Sequence, residues 1–234
     1  MKLVLALLAI AYPVCAHLAA LLGRPALRTV AVAALAALVL LPLLRARPLV
    51  GAVATLVFAL AGLALAQRGQ LDLLLFAPPV LIPAFGAWLF GHTLGAGRTP
   101  LIEQLVALIH GDGPIDPGVP AYARRLTLAW AAVMAALAAT NLVLALLAVP
   151  GGVLLALGAT PPVAVPLAWW SWLANVGGYL LLALLFAVEY AYRRRRFPDQ
   201  PYRNFADFAA RVRVAGPRLA KSLSRRAETA KLPP

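Results

Sequence analysis

Apolar residues fall in long unbroken runs separated by short polar clusters, with no alternation of the kind that marks strands. A run must supply roughly 20 mostly apolar residues, at 1.5 Å each, to cross a hydrocarbon core of about 30 Å. Six runs qualify, and they predict spans over about 3–22, 29–44, 49–66, 71–95, 126–149 and 167–190. Turn chemistry separates the first of them: Gly23-Arg24-Pro25, Arg45-Ala46-Arg47-Pro48 and Gln67-Arg68-Gly69. The predicted fold class is therefore all-α, a polytopic membrane helical bundle of about six transmembrane helices. A transmembrane domain would occupy 1–192 and a basic cytoplasmic tail 193–234.

Prolines and glycines refine this outline. Pro13 should kink the first span, and Pro78, Pro79 and Pro83 should make the first half of the fourth irregular. Gly91 and Gly95 match the small-xxx-small pattern of close helix contacts, with a plain loop at Gly95-Ala96-Gly97 as the alternative. Thr99 and Pro100 predict an N-cap and first helical position, and Gly111 the end, of a short segment. Its polar positions are Glu103, Gln104 and His110; it is too short to cross and should lie at the inner face as an amphipathic segment. A turn-rich loop follows from Asp112 to Pro120, and the run after Gly151 and Gly152 predicts a shallow re-entrant or surface segment. Trp169, Trp170 and Trp172 suit an aromatic belt at the outer interface.

Composition agrees with a membrane location: 63% of the 234 residues are hydrophobic and 12% charged, against about 45–50% and 25% in soluble domains. The single cysteine, Cys15, allows no intrachain disulfide and no thiol metal cluster. A signal peptide cut near Val14-Cys15-Ala16 competes with an uncleaved first span; the apolar run continues to Leu22, which favours the span.

A net charge of +13 would suggest nucleic acid in a soluble protein, but 12 of the 21 Lys and Arg lie after residue 192. A basic tail following a span is an anchor on anionic lipid, worth about 1 kcal/mol per charge near the surface. No recognition motif accompanies it, so nucleic acid is not an expected partner. With both termini cytoplasmic, the inner segments hold 18 basic residues and the outer loops three, Arg24, Arg28 and Arg68. In the tail, Phe205, Phe208 and Val212 share a helical face, and Leu219, Leu223 and Ala227 form a second apolar stripe.

Ionisable groups inside spans carry functional suspicion by default. Glu189 is one, but Arg193 lies four residues on and predicts a helix-end ion pair. His17 is expected to be a packing histidine, and Asn141 and Asn175 to bond across helices. The inner side gathers His92, Arg98, Glu103, His110, Arg124, Arg125, Glu189, Arg193 and Arg194, a candidate anion or partner site, since guanidinium binds phosphate and carboxylate in pairs of hydrogen bonds. The bland alternative is that positive residues belong on this side in any case. No P-loop, GxSxG, HExxH or metal-ligand spacing is present, so no catalytic residue, cofactor or metal is assigned. Three functions stay open: an accessory factor handling lipid, a small lipid transporter, and an acyltransferase relying on His92 with Glu103 or Glu189.

The order PPVLIPAF, FGHTLGAGRTPLIEQL, YARRLTLAW, WLANVGGY and FAVEYAYRRRRFP, over residues 76–200, resembles a family of inner-membrane proteins of Gram-negative bacteria. That family is often encoded with fatty-acid-synthase-like enzymes that make aryl polyene or xanthomonadin-type pigments. The resemblance implies a bacterial inner-membrane location and a role beside acyl or polyene lipid synthesis. Possible partners are then anionic lipids, an acyl carrier protein or lipid-synthesis enzymes. No reaction is established for the family, so no catalytic residue carries over. Among the motif positions it adds Tyr122 to the candidate set and gives no preference at His92 or Glu103. The ketosynthase label some members carry does not fit, because that chemistry needs a thiol nucleophile on a large soluble fold and Cys15 lies in a span.

Overall fold

A computed structural model describes residues 1–111, 115–197 and 206–216. Its elements are α1 (Lys2–Leu22), α2 (Pro25–Ala46), α3 (Pro48–Gln67), α4 (Asp72–Gly91), α5 (Leu101–His110), α6 (Val119–Leu147), α7 (Val153–Ala156), α8 (Leu167–Trp172), α9 (Gly178–Arg196) and α10 (residues 206–216). A 3-10 turn, His92–Leu94, extends α4, and a π-helical turn, Leu173–Gly177, joins α8 to α9. The only strands among the described residues, β1 (Ala148–Val149) and β2 (Val165–Pro166), pair in parallel over two residues each. Six continuous stretches, with α4 and α8–α9 taken through their joining turns, are long and apolar enough to cross a membrane. The chain is a multi-pass, all-α membrane protein.

Several local expectations change. The helix α4 runs unbroken through Pro78, Pro79 and Pro83. Proline removes one donor per residue without forbidding helical φ, and membrane helices tolerate the loss where the freed groups find other partners. Gly91 closes α4 and Gly95 stands in the loop beyond it, so the two share no helix face; the loop alternative holds. Pro100, rather than Thr99, is the N-cap of α5, and Leu101 its first residue, while Gly111 ends it at φ 59° as expected. Part of the loop prediction, 112–114, and the second tail stripe at Leu219, Leu223 and Ala227 lie outside the described residues, as does Phe205.

The chain divides into two compact units. The first comprises Met1–Ala84 and Ala136–Ala183. Its core sets Tyr12 and Ala16 of α1 against Ala31, Ala34 and Leu35 of α2, with Leu75, Phe76, Ala145, Leu167 and Trp170 completing it. Small residues at these crossings let helix backbones approach where lipid offers no hydrophobic gain from association. Phe76 meets Trp170 edge to face at 4.6 Å, and the Tyr12 hydroxyl donates to the Leu75 carbonyl at 3.3 Å. Arg28, expected in an outer loop, lies inside α2 and pairs with Asp72, with Nε 2.8 Å from Oδ1. That Nε–H is not aimed at the oxygen, so the contact is an ion pair without a directed hydrogen bond at this nitrogen. The face of α3 bearing Leu49, Val53, Leu56 and Leu60 is exposed, as a lipid-facing surface must be.

The second unit comprises Phe85–Ala135 and Leu184–Pro234. Here α5 is held by threonines of other elements. Thr93 Oγ accepts from the Leu101 N–H at 3.0 Å, and Thr127 Oγ of α6 accepts from the Ile102 N–H at 3.3 Å. Their own hydroxyl protons go to the Phe90 and Ala123 carbonyls at 2.8 and 2.7 Å. Two of the N–H groups that every helix leaves unpaired at its start are thereby satisfied without a capping side chain at Pro100.

Candidate functional site

The second unit contains all ten predicted site residues, and the structure sorts them into separate arrangements. The first forms where α9 passes from apolar sequence into four successive arginines. Glu189 is buried there, and Arg193, one turn on, meets it with two nitrogens: Nε to Oε1 at 2.6 Å and Nη2 to Oε2 at 3.3 Å. The Tyr122 hydroxyl of α6 donates to the same Oε1 at 3.0 Å. Among the described residues the carboxylate thus accepts three hydrogen bonds, all charge-assisted and two of them from a cation, and its charge is matched on the spot. The Arg193 guanidinium also lies 4.4 Å from the Phe208 ring of α10, a cation–π contact in a weakly hydrated place. Tyr122 in turn stacks on Tyr192 at 5.8 Å and tilts against Phe197 at 5.4 Å.

Beside this cluster is a cavity of about 70 Å³. Ile102, Leu105, Val106 and Ile109 of α5 line it with Val119 and Leu126 of α6; Phe197 and Phe208 add aromatic wall; His110, Tyr122, Glu189 and Arg193 supply its polar atoms. A water needs on the order of 10–15 Å³ of such space, so several waters or a short stretch of alkyl chain fit. His110 Nδ1–H is turned away to the Val106 carbonyl at 3.0 Å, since a carbonyl can only accept.

A second arrangement braces the turn after α4. Arg98 Nη1 donates to the His92 carbonyl at 2.8 Å and Arg124 Nη2 to the Leu94 carbonyl at 2.9 Å. These are carbonyls that a helix end leaves unpaired, and cations there also suit the helix dipole. His92 stacks on Trp88 at 4.7 Å, and its Nδ1–H donates to the Trp88 carbonyl at 3.0 Å. Glu103, Arg125 and Arg194 make no hydrogen bond or ion pair among the described residues; Arg125 and Arg194 are exposed. Sequence reasoning missed Phe197, which carries no charge and announces itself only through what folds against it; Phe208 was read only as part of an apolar tail face, and Thr93 and Thr127 only as motif positions of the family resemblance, with no partner named for any of the three.

The arrangement can hold an apolar chain against a neutralised polar end, and it leaves guanidiniums free outside. Acid–base chemistry is less well served: none of the three histidines stands within 4.0 Å of a carboxylate among the described residues. Nor, among those residues, is there a group of three or more side chains able to hold a metal. Asn141 and Asn175, expected to bond across helices, instead donate to carbonyls of their own turns, Leu137 at 2.9 Å and Ser171 at 3.2 Å. Membrane-buried amides take the nearest acceptor when the facing helix offers none. Comparison with family models, with curated proteins and with solved structures finds no match.

Proposed function

We propose that this multi-pass membrane protein is a non-catalytic accessory of acyl or polyene lipid synthesis at the cytoplasmic face of a bacterial inner membrane. In this reading the second unit takes an apolar chain into its cavity while exposed arginines attract an acidic partner, an acyl carrier protein, or lipid phosphates. The observation that carries it is the apolar cavity ending at the neutralised Tyr122–Glu189–Arg193 cluster. A charged headgroup has no unmatched charge to meet inside, whereas an uncharged chain loses little water on entering. The carrier protein is acidic by chemistry, so the guanidiniums outside would raise its encounter rate and orient it.

The test is binding of an acyl carrier protein and of its acyl chain by the full-length protein in nanodiscs. Arg125→Ala removes a guanidinium with no structural partner among the described residues and should weaken binding a few-fold at low salt, with the difference shrinking as salt rises. Leu105→Trp fills the cavity and should abolish the advantage of acylated over unacylated carrier. Equal binding by both variants and the parent would end the proposal.

A further inference from the structure

The first unit contains an open lateral groove of about 350 Å³ between α1 and the π-helical turn with the start of α9, lined by Ala9, Pro13, Val14, His17, Asn175 and Tyr179 among others. The groove lies within helices that span the membrane, yet it gathers an imidazole, an amide and a phenol. His17 is fixed by two contacts. Its ring meets Trp172 edge to face at 5.0 Å, and Nδ1 lies 2.9 Å from Ser171 Oγ.

The direction of that hydrogen bond follows from Ser171. Its side chain is fully buried, and its hydroxyl proton needs an acceptor. The other partner of Oγ among the described residues is Asn175 Nδ2 at 3.2 Å, which can only donate. The proton therefore goes to His17 Nδ1, which places the imidazole's own proton on Nε2. Nε2 has no hydrogen-bond partner among the described residues and is not enclosed, and the same holds for Asn175 Oδ1. The chain thus holds a preset donor at a groove open to lipid.

We infer that this groove binds an uncharged lipid through a carbonyl oxygen, which accepts from His17 Nε2–H. The depth selects this class over the surrounding phospholipid. His17 is five residues from the end of α1 at Leu22, about 8 Å inside a helix whose length matches a core of about 30 Å. Phospholipid esters are held at the edge of that core by their headgroups. A carbonyl on a chain without a charged head is free to sit deeper, where an unmet N–H has no water and its hydrogen bond is worth most.

The experiment uses the full-length protein in nanodiscs and a long-chain methyl ketone with an isotope-labelled carbonyl. Saturable binding is expected, with the infrared carbonyl band moved to lower frequency, and the alkane of equal length should compete about three- to tenfold more weakly. His17→Phe should erase both the band shift and the preference, while His17→Gln, whose amide still donates, should keep part of each. Equal competition by the alkane, or an unshifted band in the parent protein, overturns the inference. Should His17→Phe fail to fold, nitrogen NMR of the His17 ring decides without any variant: the proton on Nδ1 instead of Nε2 would equally refute it.

Discussion

Single side chains in this protein matter mostly for the partner they would leave behind. Glu189 has Arg193 on one side and Tyr122 on the other, all at least partly out of solvent. Removing one partner of a buried pair leaves an uncompensated charge, so Glu189→Ala should lower stability by about 2–4 kcal/mol, and Glu189→Gln, which still accepts from Tyr122, by less. Thermal unfolding of the detergent-solubilised protein, followed by circular dichroism, measures both; near-equal loss in the two would show that the hydroxyl bond to Tyr122 contributes nothing. Thr127 is fully buried and serves the Ile102 N–H. Thr127→Val keeps shape and removes the acceptor, at a cap-like cost of about 1–2 kcal/mol. Hydrogen exchange should rise across α5, most at Ile102, and little elsewhere, and protection unchanged at Ile102 would mean another acceptor replaces the hydroxyl.

At the scale of elements, the corner between α2 and α3 is fixed by Gly51. A methyl group there would stand 2.5 Å from the Leu44 Cα, backbone against backbone, where no rotamer change relieves it. Gly51→Ala should therefore open this helical hairpin. Disulfide trapping across the α2–α3 hairpin in a Cys15→Ala background would report it, and trapping at the parental rate would show that the corner yields without opening. The turn after β1 is equally close, since a methyl at Gly152 would stand 2.3 Å from the Ala148 carbonyl oxygen. Element existence was legible in the chain because an apolar run of about 20 residues is itself the signal. The ends were less so. Thr99 and Pro100 spell a start, yet α5 begins after Pro100 because Thr93 and Thr127 supply the acceptors that a local cap would have provided.

For the whole molecule the testable matter is orientation. Both termini are expected in the cytoplasm, from the excess of basic residues in alternate loops. Arg68 and Arg98 flank the fourth span, one before Asp72 and one after Leu94. With Cys15 replaced by alanine, a membrane-impermeant maleimide added to intact cells should label Arg68→Cys and spare Arg98→Cys. The reverse pattern would invert the topology, and labelling of both would mean that this stretch does not cross.

The order of residues is enough for the solvent and the architecture: six spans, a short segment between the fourth and fifth, and an ion pair at Glu189 and Arg193. Each follows from period, run length or a four-residue spacing within one helix, all of which are local. Which of the gathered charges act together is settled only when the chain folds. Arg98 and Arg124 turn to backbone carbonyls, Arg193 turns to Glu189, and Asp72 finds Arg28 more than 40 residues away in the chain. The polar edge of the His17 groove belongs to the same class, since Ser171 is 154 residues from the imidazole it orients. A side chain's partner in lipid is set by whichever unmatched group the fold brings within 3 Å or so, and that distance is not written in the order of residues.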